Sequence, residues 1–405
     1  MDENDARENG RRLRYWRLRR NLNRKQFAAL MDRSVSWVDM VETGRRNLVR
    51  LPTIERAAEI LGIHPDVLTN RVVATRTEQS VDGQEVLAVR AALGRYPVLP
   101  QADGPPVDLR KVHRQAEYLE QAWVSAHFTS VAQRLPALLR DAQEVDRNAV
   151  GADQLAARRA LITAYRLASS LLLKFDANEV AWLAADRAMH SALATDDAWS
   201  LARAARSAAR AMTSSGQQTE AVDCLLETTD RVRPELPGHE ETLLSLYGML
   251  YLAASMTAAE QENAALAREM HDEATVVAER MQPGFCAHQT YFGPANVQIH
   301  RVAALRRLHE SGRAIEFAAT INPAAVARLS PERRANFLLD LTDAHTRTGD
   351  FRKATQLLEQ AERIAPQEVR GRPLGRGLLE ALLRNSTGES ARLVNQMASR
   401  AGVTP

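Results

Sequence analysis

The sequence predicts an all-α protein: an N-terminal unit of five short helices followed by a long α-solenoid. Three observations lead there. Residues 11–69 break into short apolar-periodic segments with capping residues between them. From residue 111 onward Ala- and Leu-rich helical periodicity continues to the end, with no alternating strand pattern. Small residues recur within that region at long, roughly regular intervals, which is the mark of stacked repeats.

In the N-terminal unit, RRLRYWRLRRNL reads as the first helix, with Leu13, Trp16 or Arg17, and Arg20 along one side and Leu18 and Leu22 approaching the core. Asn23 followed by Gln26 forms a capping-box pattern for the second helix, RKQFAALM. A turn over Asp32 to Ser34 comes next, and Ser34 caps a third helix whose Val38 and Val41 face inward before Gly44 stops it. TIERAAEILG is the fourth helix, and Pro65 opens a short fifth one. Residues 1–70 are therefore the first domain. Residues 71–110 read as a connector, with one helix in QEVLAVRAALGR and a Pro-rich linker in YPVLPQADGPPVD. The repeat domain is 111–405.

Its clearest unit is RANFLLDLTDAHTRTGDFRKATQLLEQAERIAP. Gly349-Asp350-Phe351 makes the turn, Ala354 and Ala361 are the small residues where two helices cross, and Pro366 ends the unit, which matches the tetratricopeptide pattern. Equivalent alanines are Ala181 and Ala188, Ala221, Ala267 and Ala274, and Ala314; from Ala181 to Ala354 the steps are 40, 46, 47 and 40 residues. The repeats are thus longer and less regular than the usual ~34 residues. Such stacks have a concave inner face lined by the first helix of each pair. Helical spacing puts Arg203, Arg206 and Arg210 in one stripe on that face, with Arg166, Asn296, His300, Asn336 and Asp343 as further groove candidates. Arginine and asparagine suit an extended peptide or an acidic segment, although exposed charge stripes on repeats are more often simply solvated.

A net charge of +3 is uninformative, but its distribution is not: residues 11–50 hold twelve basic and three acidic side chains, a net +9 that leaves −6 for the rest. A phosphate-binding head on an acidic body has this asymmetry. Only two cysteines, Cys224 and Cys286, are present, so neither a disulfide framework nor a zinc site is expected, and both read as core residues in a reducing compartment. Cys286 and His288 form no ligand set by spacing, and a lone His300 is more often structural than a metal ligand. No apolar run reads as a membrane span and no signal peptide opens the chain, so a cytoplasmic protein is expected. There is no Gly-rich phosphate loop, nucleophile elbow or metal cluster, so neither an enzyme nor a cofactor is expected.

The run NRKQFAALMDRSVSWVDMVETGRRN resembles the XRE (Cro/C1-type) helix-turn-helix. The segments AYRLASSLLLKFDANEVAWLAADRAM, LLSLYGMLYLAA, YFGPANVQIHRV, ERRANFLLDL and LLEQAERIAPQEVRGRP are similar to the tetratricopeptide C-terminal domain of regulators from high-GC Gram-positive bacteria. The resemblance implies a transcriptional regulator that binds a double-stranded DNA operator as a homodimer, with a peptide, small molecule or protein in the repeat groove. The other class is an interaction scaffold or antitoxin-like adaptor with secondary DNA binding. Carried onto this sequence, the DNA-binding candidates are Ser34, Val35, Ser36, Asp39 and Met40 at the third helix, Arg24 and Lys25 at the second, and Arg45, Arg46 and Arg50 in the following loop. Arg11, Arg12 and Arg14 are further backbone-contact candidates. Family members often carry a basic residue where this chain has Met40 and Thr43. Direct readout is therefore thin: Ser36 to either base, Val35 or Met40 against a thymine methyl, Asp39 accepting from cytosine. Phosphate and shape contacts must carry most of the affinity. Trp37 and Glu42 read as packing and pairing residues.

Overall fold

The computed structural model describes residues 3–46, 48, 51–63, 68, 81, 83–96, 107–237, 241–281 and 290–403. Every regular element among them is helical. The predicted Pro65 helix start, most of the Pro-rich linker, Arg50, Cys286 and His288 lie outside the described residues.

The N-terminal unit holds α1 (Glu3–Arg19), α2 (Arg24–Leu30), α3 (Val35–Glu42) and α4 (Leu51–Leu61). Helix α1 starts eight residues earlier than the sequence pattern predicts. Leu13, Trp16, Phe27, Val38 and Leu61 are fully buried and form its core. Leu18, expected near that core, is 54% exposed. Trp16 fixes the buried face, and a residue two positions on lies about 200° around the helix. The capping box is present: Asn23 Oδ1 accepts from Gln26 N at 2.9 Å while Gln26 Oε1 accepts from Asn23 N at 2.8 Å. Ser34 Oγ accepts from Trp37 N at 3.1 Å and so sets the first turn of α3. Gly10 is where α1 crosses α3. A Cβ there would stand 2.2 Å from the Val41 carbonyl oxygen, so only glycine permits the approach that seats α3.

Helix α5 (Gly83–Leu93) buries Val89, Ala92 and Leu93 in the core of the following hairpins. Its Glu85 meets Arg19 of α1 in a buried bidentate pair at 2.8 and 2.7 Å. Among the described residues this ion pair ties α1 to α5, which packs on the repeat body.

Antiparallel hairpins follow: α6 (Leu109–Val124) with α7 (Phe128–Asn148), α8 (Asp153–Lys174) with α9 (Asn178–Leu193), α10 (Ala198–Ser214) with α11 (Gln218–Val232), and α12 (Glu241–Glu260) with α13 (Ala264–Glu279). Next come α14 (Pro294–Arg307) with α15 (Ser311–Ala318), the short α16 (Pro323–Ala327), and α17 (Pro331–Arg347) with α18 (Phe351–Ile364). The short α19 (Pro366–Arg370) leads to α20 (Pro373–Asn385) paired with α21 (Gly388–Ala401). The alanines that marked the repeats sit on the second helices at 0–3% exposure, because no larger side chain fits where the helices cross. Helix α12 is 20 residues long and, with a mean hydropathy of 1.3, is apolar enough to cross a membrane, which corrects the expectation of no such run. Most of it, including Leu246, Leu250 and Ala254, is buried among its neighbours as a core helix.

The inner helices α6, α8, α10, α12, α14 and α17 contact one another in that order, and α17 returns to touch α6. Lys174 on α8 joins this closure, bonding Glu332 of α17 at 3.1 Å and Glu368 of α19, and Thr129 N donates to Gln367 Oε1 at 3.0 Å. The inner helices therefore close into a ring around the concave face, whose cavity stays partly open to solvent.

Candidate functional site

Helix α3 presents a small, weakly charged outer surface. Val35 is 45% exposed, Ser34 and Ser36 are exposed, and Met40 is half-buried. Around it stand exposed Lys25, Arg33, Arg45 and Arg46, with Arg11 and Arg14 exposed on α1. Beneath it, Glu42 has 1% side-chain exposure and accepts from Arg17 Nε at 2.5 Å and Arg24 Nε at 2.8 Å. Burial raises the Glu42 carboxyl, but the two guanidiniums outweigh it and hold it below the usual carboxylate range. Arg24 also reaches Asp39 at 3.0 Å. These bonds lock α3 onto α1 and α2, so the exposed tip is a rigid platform rather than a set of free reading groups.

A second site is the ring interior, a cavity of about 390 Å³. Nine cationic side chains and four carboxylates line it, with Leu246, Met249, Leu252, Ile299 and Phe337 among its apolar members. Each carboxylate is engaged. Glu120 bonds both Arg166 and Arg203, Glu260 bonds Arg307 at 2.5 Å, Asp340 bonds Arg306 at 2.7 Å and Glu332 bonds Lys174. Arg206 makes no hydrogen bond or ion pair with any described residue. Burial lowers its pKa well below the usual value, and repulsion from Arg333, Arg210 and Arg166 lowers it further. Burial, then Arg333, brings His300 down to about 3, so its imidazole is neutral throughout the physiological range. Burial opposes the charge of Glu332, but Lys174 and Arg333 overcome that and hold its carboxyl well below the usual carboxylate range. No group of three or more His, Cys, Asp or Glu that could hold a metal occurs among the described residues.

Residues 8–72 match the helix-turn-helix domain family. No curated protein is similar in sequence to this chain. Among solved structures the chain is similar to Bacillus thuringiensis PlcR, crystallised with the peptide PapR7 and DNA. The identity is 13% over 85% of this chain and 99% of that one, with a TM-score of 0.38. It is also similar to the apo form of the competence regulator ComR from Streptococcus vestibularis, at 11% identity over 96% of this chain and all of that one, with a TM-score of 0.31.

Within the helix-turn-helix domain several expected contacts are spoken for. Arg24 and Asp39 neutralise each other, so Asp39 is not a free acceptor for cytosine, and Arg24 is tied to Glu42 as well. Ser34 Oγ accepts the cap bond from Trp37 N, and its hydroxyl proton is left to donate outward. Arg12, expected to face the backbone, is buried at 7% exposure, as are Arg17 and Arg19. Part of the positive count of residues 11–50 is therefore internal structure. Trp37 is 8% exposed and packs. Of the groove candidates, Arg166, Arg203, Arg206, Arg210, His300 and Asn336 do line one cavity. Asn296 does not: it is fully buried behind Met249, with Nδ2 donating to the Thr290 carbonyl at 3.4 Å. Asp343 is not among the lining residues and instead pairs with Arg306 and Arg347, each at 3.0 Å. Sequence reasoning missed Glu120, Lys174, Arg333 and Arg372. Arg333 had a signal, since it lies three residues before Asn336 on the same inner helix. Lys174 and Arg372 had none, because ring closure alone brings them in.

Proposed function

We propose that this chain is a DNA-binding transcriptional regulator that grips its operator as a homodimer through the helix-turn-helix domain and responds to a ligand held in the repeat cavity. The observation that carries the first half is the exposed tip of α3 flanked by Lys25, Arg33, Arg45 and Arg46, on a segment that matches the helix-turn-helix family. In such domains the start of the second helix of the motif meets base edges while flanking cations fix register on phosphates. Val35, Ser36 and Met40 are the base-facing groups, and Lys25, Arg45 and Arg46 the phosphate-facing ones. A homodimer fits because one domain covers a half-site only. For the second half, the support is a cavity of ligand size whose cations outnumber its carboxylates. The cytoplasm is the compartment such a regulator needs, and no catalytic activity is part of this reading.

Pulling down genomic DNA with the full chain, and with Arg45→Ala/Arg46→Ala, tests the proposal. Sharply enriched inverted repeats that disappear in the double variant are expected. Diffuse enrichment that is identical for both proteins would refute operator recognition by this surface.

A further inference from the structure

We infer that the cavity inside the ring of inner helices takes a small amphipathic dianion: a phosphate monoester or a pair of adjacent carboxylates carried on a compact apolar body. This rests on the reading of the cavity as the regulator's ligand site, and it narrows the ligand by charge and size.

The charge argument starts from what the lining already neutralises. With Glu120, Glu260, Glu332 and Asp340 engaged, three guanidiniums are left without a carboxylate of their own. Arg206 makes no hydrogen bond or ion pair with a described residue and feels Glu332 only through space. Arg210 reaches only Ser170 Oγ, at 3.5 Å. Arg333 has Glu332 at 3.9 Å, and that carboxylate already bonds Lys174 at 3.1 Å. These three arginines come from two inner helices, α10 and α17; Arg333 repels both Arg206 and Arg210, and the one carboxylate that attracts them, Glu332, is shared with Lys174. Arg206 and Arg333 are half-buried and Arg210 is exposed, so the cluster keeps some water and stands open to an anion that would complete it. One carboxylate would leave two of the three uncompensated. A phosphate monoester brings a charge of roughly −1.5 to −2 and three acceptor oxygens, and guanidiniums meet such groups in bidentate fashion.

The size argument follows from ring closure. With α17 returned to α6 and Lys174 bridging the seam, the cavity has a volume of about 390 Å³, near the low end of small-molecule sites, and is partly open to solvent. An extended peptide needs a channel that lengthens by ~3.3 Å with every residue. The apolar members, Leu246, Leu252, Ile299 and Phe337, give the ligand's body a surface to cover, so a bare inorganic ion uses only half of the site.

The test is calorimetric titration of the full chain at low salt with phenyl phosphate, phenylsuccinate, benzoate, inorganic phosphate and an N-acetylated heptapeptide bearing one free carboxylate. The expected result is that phenyl phosphate or phenylsuccinate binds at least ~10-fold more tightly than benzoate and than inorganic phosphate, as a second charge-assisted contact and an apolar body require. Whichever of the two dianions binds better identifies the chemical source. Arg206→Met should weaken dianion binding by ~10-fold or more. Its melting temperature without ligand should be equal or higher, because an uncompensated charge has been removed. Arg384→Met, an exposed site outside the cavity, should bind as the parent does. Equal affinity for benzoate and the dianions would overturn the inference, as would a lower melting temperature with unchanged binding in Arg206→Met. Binding of the heptapeptide alone would overturn it while leaving the ligand-responsive regulator in place. If no probe binds, the inference falls, and the operator pulldown still decides the DNA-binding half independently.

Discussion

Glu42→Ala should destabilise the helix-turn-helix domain by ~3–5 kcal/mol, the usual consequence of stranding a buried cation. Arg17 is the stranded group, with 5% side-chain exposure and its Nε bonded to the missing carboxylate. Arg24, at 39% exposure, recovers water and adds little. Native-state hydrogen exchange reads this unit separately from the repeats, and protection should fall across α1 to α3 while α8 to α13 keep theirs. The same carboxylate gives a pH dependence of definite sign. Its native pKa lies below the unfolded value of ~4.3, so its contribution is complete above that pH and is lost as pH falls through the native value. The parent domain should therefore open progressively in acid, and Glu42→Gln should flatten that slope.

Lys174→Met should cost a comparable ~3–5 kcal/mol, located at the ring seam instead. The ammonium has 4% side-chain exposure, bonds Glu332 and Glu368, and lies 5.0 and 4.3 Å from the Trp123 and Phe128 ring centroids. Removing it leaves Glu368 fully buried with Arg372 and Asn336 as its remaining partners. Calorimetric melting of Lys174→Met should show a clear drop. Adding Glu368→Gln should recover part of it, because that fully buried carboxylate has lost its nearest cation and keeps only the partly exposed Arg372. A double variant no more stable than the single would mean that the seam is held by packing alone.

Much of the helix-turn-helix domain was legible because its signals are local. The Asn23 and Gln26 pair and the Ser34 cap are each complete within four residues. The Arg203, Arg206 and Arg210 stripe was equally readable, since the opposite face of α10 carries Ala202, Ala205 and Ala209, which are 0–1% exposed. What the sequence hid is long-range. Arg17, Arg19 and Arg24 look like phosphate contacts in a charge count, yet their partners Glu42 and Glu85 lie 18 to 66 residues away. Asn296 was placed in the groove from helical spacing alone, and the packing of α14 against α12 turned it inward behind Met249. The cavity itself depends on contacts between residues 158 and 194 positions apart, for which no local pattern exists.

The central claim is that DNA binding runs through phosphate contacts around a sparsely reading helix. The most direct measurement is operator affinity as a function of salt concentration, for the parent and for Arg45→Ala/Arg46→Ala. The account predicts a steep linear fall of log K with log salt in the parent and a slope smaller by about 2 in the double variant, near one unit for each lost phosphate contact. A parent that holds its operator with little salt dependence, or a double variant with the parent's slope, would contradict it.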